Sequence, residues 1–144
     1  MDSLCDATYS SGEIDKGVLA AHNVVRSQPK AIIPQLQAML AGFDGLILKR
    51  EGKINLRTNE GAAAVQELID FLNVQEPLPT MTWSDEVAKA AKDHADDTGP
   101  KGITGHDGSD GSTLGDRLQK YGNPVSTYGE NLSYGQDKAM DVVI

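Results

Sequence analysis

Apolar positions recur along the chain at helical intervals. Ile14, Val18 and Val25, with His22 among them, are three or four residues apart and line one face of a helix. Pro29 closes that helix, because the residue before a proline is pushed out of the helical region. A second helix is predicted from Pro29, with Pro29 and Pro34 tolerated in or near its first turn. Ile33, Leu36, Met39, Leu40 and Phe43 form its apolar stripe, and Gly42 stops it. Leu46-Ile47-Leu48 and Ile54-Asn55-Leu56 flank a polar stretch and predict a short hairpin or irregular turn. Thr58 or Asn59 caps a third predicted helix that buries Val65, Leu68, Ile69 and Leu72. Pro77 and Pro79 make an extended connector. Ser84 caps a fourth helix, with Asp85 and Glu86 in the first turn, where negative charge suits the helix dipole. Val87, Ala88, Ala91 and Ala95 are its expected inward face, and Trp83 at its start is expected to be at least half buried.

From Asp96 the pattern changes. Residues 97–112 are dense in glycine, serine, threonine and aspartate, the turn formers. A short helix from Thr113 to Tyr121 follows, with Leu114 and Leu118 inward and Gly122 ending it. Tyr128 to Tyr134 alternates well enough to predict a strand bounded by glycines. Asp137 opens another helix, which runs into Val142-Val143-Ile144. A short helix is marginal in water by itself. That apolar triplet therefore either docks onto the rest of the chain or belongs to a longer domain. Residues 1–12 read as a loose lead-in, and residues 13–144 as the folded region.

Composition narrows the function classes. The 144 residues amount to one domain. With 39% hydrophobic and 24% charged residues, the chain is apolar enough to fold. Acidic residues outnumber basic ones by 21 to 13, and the net charge of −8 repels phosphate backbones. Aromatics at 5% leave few base-stacking platforms, so nucleic acid is not an expected partner. No apolar run is long enough to span a membrane. Cys5 is the only cysteine, so no internal disulfide forms and the core must hold the fold. Met1-Asp2-Ser3-Leu4-Cys5-Asp6 lacks the basic and apolar regions of a signal peptide.

Three histidines are candidates for chemistry. His22 lies on an apolar helix face and His94 on the small-residue helix, and both read as structural. His106 sits in the glycine-rich segment, where the backbone can deliver a side chain to a cleft. Glu130 stands in the middle of the predicted strand. A carboxylate buried there without a partner is costly, and an imidazole is its natural partner; on an edge strand it would instead face solvent. Asp107 and Asp110 fail the alternating donor pattern of a calcium loop and read as turn and capping residues. No nucleotide-cradling glycine motif, HExxH or GxSxG is present, so Ser133 is not a credible nucleophile.

These residues carry a resemblance. Ala21-His22-Asn23-Val24-Val25-Arg26-Ser27-Gln28-Pro29, Trp83 before an alanine-rich helix, Thr104-Gly105-His106, and Gly129-Glu130-Asn131-Leu132-Ser133-Tyr134-Gly135 occur in that order. The chain resembles the CAP superfamily (SCP domain) of cysteine-rich secretory, antigen 5 and pathogenesis-related class 1 proteins. The closest likeness is to disulfide-poor bacterial or protist members, over the N-terminal portion of the domain from about Asp15. The resemblance implies an α+β fold, an α-β-α sandwich of helices flanking a small antiparallel sheet, incomplete at its C-terminus. It implies a cleft lined by two histidines and two acidic residues, in which some members bind a divalent metal such as zinc or magnesium. His106 and Glu130 match the first histidine and the first acidic position; the second pair has no counterpart here. It also implies an extracellular protein.

Three functions follow from it. One is a binding or interaction module with a His106/Glu130 cleft that takes a protein partner or a small lipophilic or peptide ligand. Another is a metal-assisted hydrolase in the same cleft, with His106 as ligand and Glu130 as ligand or general base. The third is a structural subunit or fragment, completed by another chain or by the C-terminal half of the domain. His106 and Glu130 are expected within hydrogen-bond or one-water reach of each other across a shallow cleft.

Overall fold

A computed structural model of the chain describes residues 14–122 and 126–144. The expected lead-in over residues 1–12, including Cys5, lies outside the described residues. The fold is α+β: six α-helices, two 3-10 turns and one small antiparallel sheet among the described residues. The described residues divide into two units, one of residues 17–81 with 143 and the other of residues 82–142 with 14–16 and 144.

In the first unit, α1 (Ile14–Ser27) buries Gly17 and Ala21 most deeply, with Ile14, Val18, His22 and Val25 half-buried around them. His22 is structural, as expected: Nδ1 lies 2.9 Å from the Val18 carbonyl one turn back. The proline pair splits the second predicted helix. Pro29–Ile32 forms a 3-10 turn, and α2 (Ile33–Ala41) follows with Pro34 in its first turn. Among the described residues Leu36 is the one large side chain that is fully buried, and with Ile32, Ile69 and Leu72 it supplies much of this unit's core.

The expected hairpin is present, with one strand more. β1 (Phe43–Asp44), β2 (Ile47–Leu48) and β3 (Leu56–Arg57) form an antiparallel meander in that order. Phe43 faces Leu48 across the first pair, and Leu48 faces Leu56 across the second. α3 (Ala62–Val74) starts three residues beyond Asn59. Thr58 does not cap it. Its Oγ1 instead accepts the Gly61 N–H at 3.1 Å and donates to the Leu46 carbonyl at 2.9 Å, tying the turn before the helix to the sheet. The proline connector is held on α1 by the very residues of the His-Asn-x-x-Arg opening. Asn23 donates to the Met81 carbonyl and accepts its N–H (3.0 and 2.7 Å), and Arg26 Nε donates to the Pro79 carbonyl at 2.8 Å.

In the second unit, α4 (Asp85–Thr98) starts at the expected cap, with Ser84 Oγ accepting from the Val87 N–H. Trp83 keeps 39% of its surface exposed, and its indole N–H donates to Asp85 at 2.7 Å. The inward face is not the expected one. Ala90, His94 and Thr98 are buried, whereas Val87, Ala91 and Ala95 are exposed. Alanine is compatible with either environment, so the face is chosen by what packs on it, here α5 (Leu114–Lys120). α5 opens with a reciprocal capping box, Thr113 with Asp116, and buries Gly115, Arg117 and Leu118. α6 (Ala139–Val143) starts two residues after Asp137 and buries Ala139 and Met140, while residues 142–144 are half-buried.

The predicted strand at Tyr128–Tyr134 is a correction. This segment is extended but belongs to no strand among the described residues. Alternating side chains alone do not make a strand; a ladder partner is needed to take up the backbone groups. Side-chain contacts to α5 and to the glycine-rich loop hold the segment instead.

Candidate functional site

The site is assembled from the glycine-rich loop, α5 and the extended segment after Tyr128. Asp97, near the end of α4, organises the loop. Its Oδ2 accepts the Ser109 N–H at 2.7 Å, its Oδ1 accepts the Ser109 hydroxyl at 2.6 Å, and Lys101 pairs with it. The Lys101 hydrogen bond, then those from Ser109, hold its carboxyl well below the usual carboxylate range. Gly105, just before His106, is fastened at both ends of its residue. His94 Nε2 donates to its carbonyl at 2.9 Å, and its N–H donates to the Tyr134 hydroxyl at 2.9 Å.

His106 and Glu130 are brought together. Nδ1 of His106 lies 3.0 Å from Oε2 of Glu130. The other carboxylate oxygen accepts from Nη2 of Arg117 at 2.7 Å, and Nη1 of the same guanidinium donates to the His106 carbonyl at 3.0 Å. Arg117 thus grips both the acid and the backbone of the imidazole. Exposure falls steeply along the series: the His106 side chain is 61% exposed, that of Glu130 12% and that of Arg117 5%. Burial pushes the Glu130 carboxyl up. Hydrogen bonds from His106 and Arg117, with the guanidinium charge, more than offset this and hold it below its ordinary value.

Glu130 reaches this position through a tight contact. Tyr128 lies over α5 at Gly115, where an added Cβ would fall 2.6 Å from the Tyr128 hydroxyl oxygen. A glycine at that point lets the segment carrying Glu130 approach the helix that carries Arg117.

Arg117 is the one member of this cluster outside the sequence candidates, although its position carries a signal. It lies three residues after Leu114 and one before Leu118, on the inward side of a short helix. An arginine there requires an acidic or carbonyl partner. His94, read as structural, is structural in that it is 5% exposed and bonds the loop backbone. Asp107 is exposed.

A family model described as CAP, the cysteine-rich secretory protein family, matches residues 19–144. The chain belongs to the CAP family. Comparison with curated proteins and with solved structures gave no match. The family match spans every residue of the His106–Glu130–Arg117 cluster, as well as the Asn23 and Arg26 contacts of the opening motif. In this CAP chain no helix among the described residues is long and apolar enough to cross a membrane.

Proposed function

We propose that this CAP chain is a binding module whose recognition surface centres on His106. The gradient of exposure carries the reading: an imidazole open to solvent is anchored by a carboxylate and a guanidinium that are almost wholly buried. A carboxylate only accepts, so Nδ1 of His106 carries the proton in that hydrogen bond, and Nε2 of the neutral ring presents a lone pair. That atom accepts a hydrogen bond from a peptide N–H or from the hydroxyl of a small lipophilic ligand. Extracellular placement is proposed with this role, on the secretory character in the family's description.

A carboxylate behind a histidine is also how proteins orient a metal-binding imidazole. As joint ligands, however, His106 and Glu130 do not fit zinc or magnesium. Both oxygens of Glu130 are engaged, one by His106 and one by Arg117, and the guanidinium repels a cation there. The pair offers Nε2 alone, where zinc takes three or four protein ligands and magnesium prefers oxygens. The donor set therefore favours the binding module over the metal-assisted hydrolase.

The test is an NMR titration of the full chain with zinc ion, with decanol and with a set of acetylated tripeptide amides, following the His106 imidazole and the backbone amides of residues 104–108. Saturable shifts of both by a peptide or by decanol are expected, with the amide shifts lost in His106→Ala. Probes that bind without moving His106, or a zinc response alone, would overturn the reading.

A further inference from the structure

Glu130 is followed by Asn131-Leu132-Ser133, an asparagine with a serine two residues on and no proline between them. None of the other five asparagines of the chain has serine or threonine at that spacing. Such a triplet is the acceptor sequence for N-linked glycans, provided that the asparagine and the hydroxyl both reach solvent.

The fold of this segment meets that condition. Residues 128–134 are extended and belong to no strand among the described residues, so no ladder ties up the backbone of the triplet. In an extended chain successive side chains point to opposite sides. Glu130 and Leu132 are partly buried, whereas Asn131 and Ser133 are exposed. Fixed points on either side set this register. Glu130 is held by His106 and Arg117, and the Tyr134 hydroxyl accepts the Gly105 N–H at 2.9 Å. The amide and the hydroxyl are thus left two residues apart on the outer side.

Neither residue is called for by packing. Among the described residues no hydrogen bond or ion pair engages the Asn131 side chain. Ser133 Oγ donates to Oε1 of Gln136 at 2.6 Å, and both residues are exposed, so water or an enzyme replaces that bond at little cost.

We propose that Asn131 is an N-glycosylation site of this chain. The inference rests on the extracellular placement proposed above, since the sugar donor is met on the secretory route. That donor is an oligosaccharide linked to a lipid diphosphate. The Asn131 amide nitrogen bonds to C1 of its first sugar and the C1–O bond to the diphosphate breaks. The leaving oxygen takes the electron pair, and a base of the transferase takes one amide proton. The Ser133 hydroxyl is not consumed; it is the group by which the transferase tells this asparagine from the rest. The glycan leaves from the side opposite the Glu130 carboxylate, so the His106–Glu130–Arg117 cluster needs no rearrangement to carry it. Its bulk keeps the outer side of residues 131–133 in solvent, and a protein partner of His106 approaches from another side.

The experiment sends the full chain, behind a cleavable leader, through the secretory route of a eukaryotic cell. The peptide containing Asn131 is then read by mass spectrometry before and after enzymatic removal of N-glycans, which leaves aspartate at an occupied position. A glycan on Asn131 is expected in most of the secreted chain, absent in Asn131→Gln and in Ser133→Ala and retained in Ser133→Thr. Because the leader supplies the route, the result tests the acceptor itself, and a bare Asn131 would count against the site and not against the extracellular placement. A folded, secreted chain with Asn131 bare in both the parent and Ser133→Thr, or a glycan that persists on Asn131 in Ser133→Ala, would overturn the inference.

Discussion

Arg117 and Glu130 form a nearly buried ion pair, 2.7 Å from Nη2 to Oε1, and the same guanidinium holds the His106 backbone carbonyl. One arginine thus sets the position of both residues that line the candidate site. Separating a buried pair leaves the remaining charge without a partner, which costs more than the pair contributes when intact. Glu130→Gln keeps the shape and removes the charge, and is expected to lower stability by about 2 kcal/mol, read from urea unfolding. Arg117→Ala strands Glu130 and is expected to cost more, on the order of 3–5 kcal/mol. Equal stability of parent and both variants would show that the pair holds nothing in place.

Gly115 is expected to tolerate no side chain while Tyr128 stays in place. Gly115→Ala sets a methyl group 2.6 Å from the Tyr128 oxygen, and overpacking of this kind costs about 1–3 kcal/mol. Adding Tyr128→Phe removes the colliding oxygen and is expected to recover part of the loss. Thermal unfolding of the single and double variants measures both effects; a double variant no more stable than Gly115→Ala would place the strain elsewhere.

Acid should weaken the fold in a defined window. Glu130 and Asp97 titrate below their ordinary values when folded. Their contribution is therefore complete above the unfolded carboxylate range, about pH 4–4.5, and is lost as pH falls through it toward the folded values. Urea midpoints are expected to be level from pH 7 to about 5 and to drop below about 4. Asp97→Asn is expected to flatten that acid limb. A midpoint that rises on acidification would reverse the assigned sign.

Much of this was legible in the sequence, for reasons that differ by residue. Ser84 and Thr113 mark helix starts because a hydroxyl at that point has a backbone N–H to accept. His106 and Glu130 belong to the motifs that carry the family resemblance, and they meet at 3.0 Å. Other features depend on contacts that no local pattern encodes. The alanine-rich helix α4 turns a different face inward because its alanines carry little preference of their own. The Tyr128–Tyr134 segment alternates like a strand but is fixed by Glu130, Tyr128 and Tyr134 side chains. Arg117 lies beside Leu118 on the inward side of α5, but nothing local to it names Glu130, thirteen residues on, as the partner its burial requires.

The core of the first unit rests on Leu36, which is 1% exposed. Leu36→Ala is expected to cost about 2–5 kcal/mol, from lost apolar burial and the cavity left behind. Urea unfolding measures it; a loss below about 1 kcal/mol would mean that the site collapses freely or that α2 does not pack as described.

The orientation of the His106 ring is the point on which the binding role turns. Long-range proton–nitrogen NMR of its imidazole, in alkaline solution at about pH 9 where histidine is ordinarily neutral, reads which nitrogen bears the proton. The expected result is a proton on Nδ1 in the parent chain, with Nε2 bare, and a mixture of tautomers in Glu130→Gln. A proton mainly on Nε2 in the parent, or the same tautomer ratio in both proteins, would contradict it.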